Sequence, residues 1–192
     1  MSGMSAPKLK SLSSEPNTTD DPDGYYSSDC FADTLIGFLK DTALDRSSGD
    51  KPFFAYLPFT APHQPIQCYK ADRDKYQGLY DEGPELLRQR RLVQLVKLGF
   101  IDPDVIPHKV MSSSISWAEM SDNAKKASAR SYECYAGMVE ALDRASGRVI
   151  DYLRDSGELD NTLVMFFSDN GPEGGGSGSE ERYPAYTDEH GE

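Results

Sequence analysis

Three residues of this chain have the type and setting to do chemistry: His63, Asp169 and Asn170. Asp169-Asn170 sets a carboxylate beside an amide carbonyl, just after the apolar run Thr162-Leu163-Val164-Met165-Phe166-Phe167 and Ser168. Hard cations such as Ca²⁺ and Mg²⁺ take oxygen ligands of this kind, and two adjacent residues at a bend can both reach one ion. Read with Gly171, the same residues are also an ordinary tight-turn sequence. His63 follows a second apolar run, Phe53-Phe54-Ala55-Tyr56-Leu57-Pro58-Phe59, through Thr60-Ala61-Pro62. Pro62 and Pro65 stiffen the loop around it. Its imidazole could donate to an anionic oxygen or move a proton, although a purely structural loop histidine fits the local sequence as well. His108, after Pro107, and His190 have weaker surroundings.

The two apolar runs read as buried strands, each releasing its polar groups just past the C-terminal end. In open α/β sheets ligands are bound at that edge. Helix-forming stretches lie between the runs, as a parallel crossover requires. A first helix is expected with Ser28 or Asp29 as N-cap, placing Phe31, Leu35, Ile36, Phe38 and Leu39 on one apolar face. The stretch from Gln64 to Gly83 is mixed and reads as loop. Pro84 fits the first turn of another helix and Gly99 its stop. Arg88, Arg90 and Arg91 on that helix read as a solvated face rather than a phosphate site. The longest helix is expected to carry a face of Tyr132, Tyr135, Val139, Leu142, Ser146, Val149 and Leu153. Ser116 and Glu119 suit a capping box ahead of it, and Gly157 suits its C-cap.

The chain has 192 residues and a formal charge of −12. That balance argues against nucleic acid or an anionic membrane surface as partner. Its start lacks an apolar signal segment, and no run approaches the roughly 20 apolar residues of a membrane span. A cytoplasmic setting is therefore the default expectation. Cys30, Cys68 and Cys134 are odd in number and far apart, which fits free thiols and neither a disulfide framework nor a metal knuckle. Residues 1–24 read as a disordered leader, 25–171 as the folded body and 172–192 as a Gly/Glu-rich flexible tail. Asp20-Asp21-Pro22-Asp23-Gly24 fails as a calcium loop, because Cys30 stands where the bidentate acid belongs. The glycines after Gly171 lack the Lys-Ser/Thr ending of a phosphate loop.

Taken together, the segments resemble the arylsulfatases. The stretch from Pro52 to Gln67 is similar to that family's histidine-bearing strand and loop. Tyr135-Ala136-Gly137-Met138-Val139-Glu140-Ala141-Leu142-Asp143, with Gly147-Arg148-Val149-Ile150-Asp151-Tyr152-Leu153, resembles its long helix. Gly157-Glu158-Leu159-Asp160-Asn161-Thr162, ending in Ser168-Asp169-Asn170-Gly171, resembles the strand that delivers its metal ligands. Tyr26-Ser27-Ser28-Asp29, Ala32-Asp33 and Leu35-Ile36 are similar to the preceding helix. The order and spacing hold from about Tyr25 to Gly171.

The resemblance implies an α/β fold: part of an alkaline-phosphatase-like sandwich, mainly parallel strands with crossover helices. It implies metal-dependent hydrolysis of sulfate esters, small molecules or sulfated glycans, beside a divalent cation, usually Ca²⁺ with Mg²⁺ as an alternative. Asp169 and Asn170 match two cation ligands, and His63 matches the histidine that contacts the sulfate and assists the leaving oxygen. The family's nucleophile, a formylglycine made within Cys/Ser-x-Pro-x-Arg, has no counterpart around Cys30, Cys68 or Cys134. Its paired aspartates, its early Lys and His, and its later lysine are unmatched too. The expectation is an internal part of the catalytic domain, with a weak cation site and no turnover alone. A phosphonate or phosphodiester hydrolase, and a non-catalytic remnant or interaction protein, are the alternatives.

Overall fold

The computed structural model describes residues 25–45, 52–107 and 116–171. The expected leader with its Asp20–Gly24 stretch, His108, His190 and the Gly/Glu-rich tail lie outside the described residues. Four α-helices are present among those described: α1 (Ser27–Asp45), α2 (Lys70–Asp74), α3 (Pro84–Lys97) and α4 (Asp122–Asp155). Short 3₁₀ turns cover Trp117–Glu119 and Leu159–Asn161. No described helix is long and apolar enough to cross a membrane.

Helix ends follow local chemistry closely. Pro84 opens α3, where its missing N–H is no loss. Gly99 and Gly157 close α3 and α4 with φ of 74° and 75°. In both, a pair of backbone bonds completes the turn: Gly99 N to Val96 O with Phe100 N to Leu95 O, and Gly157 N to Arg154 O with Glu158 N to Leu153 O. Ser116 and Glu119 form the expected capping box, and Ser121 Oγ caps α4 by accepting from Ala124 N. α1 departs from expectation. Cys30 N already donates to Tyr26 O, so the helix begins ahead of Ser28. Asp29 is drawn sideways instead, accepting from Tyr69 Oη at 2.9 Å and from Arg148 at 3.1 Å.

α4 is the spine, and α1 and α2 both pack on it. Its buried stripe is made of small residues, Ala129, Ala136, Gly137, Ala141 and Ala145, with Glu133, Met138, Leu142 and Leu153. Ala32 and Leu39 face it from α1. The expected aromatic face is corrected by this packing: Tyr132, Tyr135 and Val139 are exposed, although Tyr132 stacks on Tyr80 at 5.5 Å. Small side chains let neighbouring backbones approach, so the partners settle on the alanine stripe. At Gly137 the approach is limiting, since a Cβ there would lie 2.8 Å from Cys68 Sγ and 3.0 Å from the Arg73 amide nitrogen.

Alanines bury little apolar area, so charge carries much of the specificity. Asp72 is buried on α2 and receives both Arg144 Nη atoms at 3.0 and 2.9 Å, with Lys75 Nζ at 3.1 Å. Burial alone would push its carboxyl up, but these hydrogen bonds outweigh it and hold the group below the usual carboxylate range. Glu133 accepts from Gly78 N and Arg130, both at 2.7 Å. Glu140 accepts from Lys75 and Tyr76. Arg148 joins α4 to Asp29 and Asp33 of α1. The arginines of α3 are surface groups, Arg88 paired with Glu85 and Arg90 with Glu82.

Two glycines in the body of α4 test this packing. Gly137→Ala adds a methyl where none fits, costing about 1–3 kcal/mol and exceeding the ~1 kcal/mol gained in helix propensity. Gly147 has nothing within 4 Å of a Cβ position, so Gly147→Ala raises stability by up to about 1 kcal/mol. Urea or thermal unfolding should therefore shift in opposite directions for the two variants.

Candidate functional site

The segment that leads to His63, from Pro52 to Thr60, forms no helix and pairs with no neighbouring strand among the described residues. Phe54 is 93% and Tyr56 72% exposed. The expected strand is therefore not formed among the described residues, because a strand needs a neighbouring row of N–H and C=O groups and the elements packed here are helices. A turn closes with His63 N donating to Thr60 O at 2.9 Å. His63 Nδ1 lies 2.9 Å from Gln64 O. A carbonyl oxygen only accepts, so Nδ1 carries the hydrogen and Nε2 is the nitrogen left for chemistry.

Beyond Pro65 the chain is fastened to the helices. Tyr26 Oη donates to Gln67 O at 3.2 Å, and Gln67 N donates to Met138 Sδ at 3.4 Å. Cys68 is then buried beside Gly137, and the stretch expected as loop turns into α2. His63 thus stands on a short arm whose far end is fixed to α4.

Asp169 and Asn170 stand on the second arm. α4 ends at Gly157, and Thr162 ties the next turn down through Oγ1 to Glu158 O at 2.7 Å. The backbone is extended at Thr162 and runs on to Phe167 with neither helix nor strand pairing among the described residues, with Leu163 87% and Phe166 74% exposed. Gly171 N donates to Ser168 Oγ at 3.0 Å, folding Ser168-Asp169-Asn170 into a bend. Among the described residues, the Asp169 and Asn170 side chains enter no hydrogen bond or ion pair. No group of three or more His, Cys, Asp or Glu able to hold a metal occurs among those residues. Neither a hydrogen bond nor an ion pair joins His63 to Asp169 or Asn170.

His63 therefore lies between its apolar run and the Gln67 anchor on α4, Asp169 and Asn170 follow the apolar run that leaves α4, and no contact among the described residues joins the two runs. A profile of the sulfatase family matches this chain over residues 4–191. The chain belongs to the sulfatase family. An uncharacterized sulfatase of Schizosaccharomyces pombe is 52% identical over 151 residues, covering 78% of this chain and 26% of its own length. An arylsulfatase of Klebsiella aerogenes is 31% identical over 151 residues, covering 78% of this chain and 31% of its own. A multifunctional alkaline phosphatase superfamily protein of Trinickia caryophylli is 26% identical over 169 residues, covering 82% of this chain and 30% of its own. The chain spans about a quarter to a third of the length of these curated relatives. Sulfatase membership implies an alkaline-phosphatase-like α/β fold, of which the described residues supply helices and no strand.

Sequence reasoning missed the meeting of Cys68 with Cys134, whose sulfurs lie 3.3 Å apart. The available signal was Gly137, an isolated glycine inside a strong helical pattern, which marks a close packing contact. The tautomer at His63 is directly measurable. Two-bond nitrogen–proton NMR correlations on the neutral ring should show the hydrogen on Nδ1, and an Nε2–H pattern would contradict the Gln64 contact.

Proposed function

We propose that this chain is part of the catalytic domain of an arylsulfatase-type sulfuric ester hydrolase. Family membership over residues 4–191 carries this reading. The two arms support it, because non-helical segments carrying large, exposed apolar side chains suit strands of the sandwich sheet. Paired in parallel, such strands would present His63 and Asp169-Asn170 at one sheet edge.

The donor chemistry of Asp169 and Asn170 fits a hard dication in kind, a carboxylate and an amide oxygen on consecutive residues that make no other side-chain bond among the described residues. It falls short in number, since Ca²⁺ takes about six to eight oxygens. In this reading Asp169 and Asn170 supply part of the coordination of Ca²⁺, or of Mg²⁺. When bound, the cation would offset negative charge on the sulfuryl oxygens. His63 then acts at Nε2. Protonated, the ring keeps Nδ1–H on Gln64 O and offers Nε2–H to the bridging ester oxygen, so the departing oxygen leaves with a proton. The acidic chain has no Cys/Ser-x-Pro-x-Arg segment to furnish the nucleophile. The substrates would be sulfate esters of small molecules or glycans, and a related phosphonate or phosphodiester hydrolase is the neighbouring reading.

Calorimetry with Ca²⁺ tests the cation-binding arm. Weak saturable binding should be lost in Asp169→Ala and reduced in Asn170→Ala, while identical heats for all three would overturn the assignment. The chain alone should turn over no aryl sulfate, and turnover abolished by His63→Ala would contradict this. In a polypeptide that also carries the nucleophile, His63→Ala should lower kcat by about 10²–10⁴-fold.

A further inference from the structure

Cys68 and Cys134 are far apart in the sequence, yet their sulfurs lie 3.3 Å apart as free thiols. Both sit on anchored backbone. Cys134 is on α4, and Cys68 directly precedes α2, held by the Gln67 bonds to Tyr26 and Met138. The missing side chain of Gly137 provides the room for Cys68 Sγ. A disulfide needs about 2.05 Å between sulfurs, so closure asks for a movement of only a little over ~1 Å.

We infer that Cys68 and Cys134 form a reversible disulfide, a modification site that locks the root of the His63 arm to α4. It rests on the sulfur geometry and stands whether or not the catalytic reading holds.

The two thiols are unequal. Cys134 is the more accessible and Cys68 the more buried. The hydrogen bond from Cys68 and the nearby Arg73 and Arg130 draw the Cys134 thiol down, against the opposing effect of burial. The same hydrogen bond, with burial, pushes Cys68 up. Asp72 acts on Cys68 in the same sense, and Arg73 against it. Cys134 is therefore the attacking sulfur and Cys68 the resolving one. With a low-molecular-weight disulfide such as glutathione disulfide as oxidant, Cys134 thiolate attacks one of its sulfurs and releases one glutathione thiolate. Cys68 then loses its proton to solvent and attacks Cys134 Sγ, which expels the second glutathione thiolate. The protein gives up two electrons and two protons, and glutathione disulfide takes them as two thiols. Cys30, half-buried on α1, is the internal control.

The test equilibrates the reduced chain with reduced and oxidised glutathione over a range of ratios, quenches with acid, alkylates and maps the peptides. Cys68 and Cys134 should lose alkylation together in one transition. A peptide joining the two should appear, dithiothreitol should reverse it, and Cys30 should stay alkylated. In Cys68→Ser, Cys134 should stop at the glutathione mixed disulfide. Full alkylation of Cys68 and Cys134 at every ratio would overturn the inference. So would independent loss of the two, or pairing of either with Cys30.

Discussion

The whole described arrangement turns on one missing methyl group. At Gly137 the segment entering α2 lies so close to α4 that any side chain would meet Cys68 Sγ and the Arg73 amide. That approach fixes α2 on the spine, brings Asp72 to Arg144 and Glu140 to Lys75, and holds the root of the His63 arm. It also presses Cys68 against Cys134. Because five of the nine buried residues of α4 are alanine or glycine, hydrophobic burial is modest and the oriented charges select among alternative seatings of α2. Breaking a paired buried charge leaves its partner uncompensated, which makes such pairs strict about geometry even where their net contribution is small.

Many large apolar side chains lie outside this core of Leu39, Met138, Leu142, Leu153 and small residues. Phe54, Tyr56, Leu163, Met165, Phe166 and Phe167 are exposed on the two arms, and Tyr132, Tyr135 and Val139 on a second face of α4. Both arms and this helix face have the composition of a sheet layer and its covering helix, and the sulfatase family supplies the α/β architecture that would use them. The proposed site has the same logic. His63 and Asp169-Asn170 each follow an apolar run, so pairing the runs into a sheet is the step that would assemble a site from them.

Much of this was legible in the sequence where the cause is local. Pro84, Gly99, Gly157, Ser116 and Glu119 mark helix ends through φ preferences and capping bonds, which need no tertiary partner. What failed was tertiary. Counting large residues on α4 favoured the Tyr132–Tyr135–Val139 face, whereas close approach favoured alanine and glycine. Ser28 and Asp29 have N-cap chemistry, but Arg148 and Tyr69 claim Asp29 and the first turn forms earlier. Strand pairing depends on groups outside each run, so the strands expected at the two runs are not formed among the described residues. His63, Asp169 and Asn170 were found by residue type and family spacing, and the described contacts place them without joining them.

Amide hydrogen exchange on the chain measures the division between spine and arms most directly. Amides of Glu133–Leu153 in α4 should be protected, while those of Phe54–Phe59 apart from Pro58, and Leu163–Phe167, should exchange near the rate of unstructured peptide. Strong protection of both arms in the isolated chain would show that they already have strand partners, and would contradict the account of a helical spine carrying unpaired halves of a site.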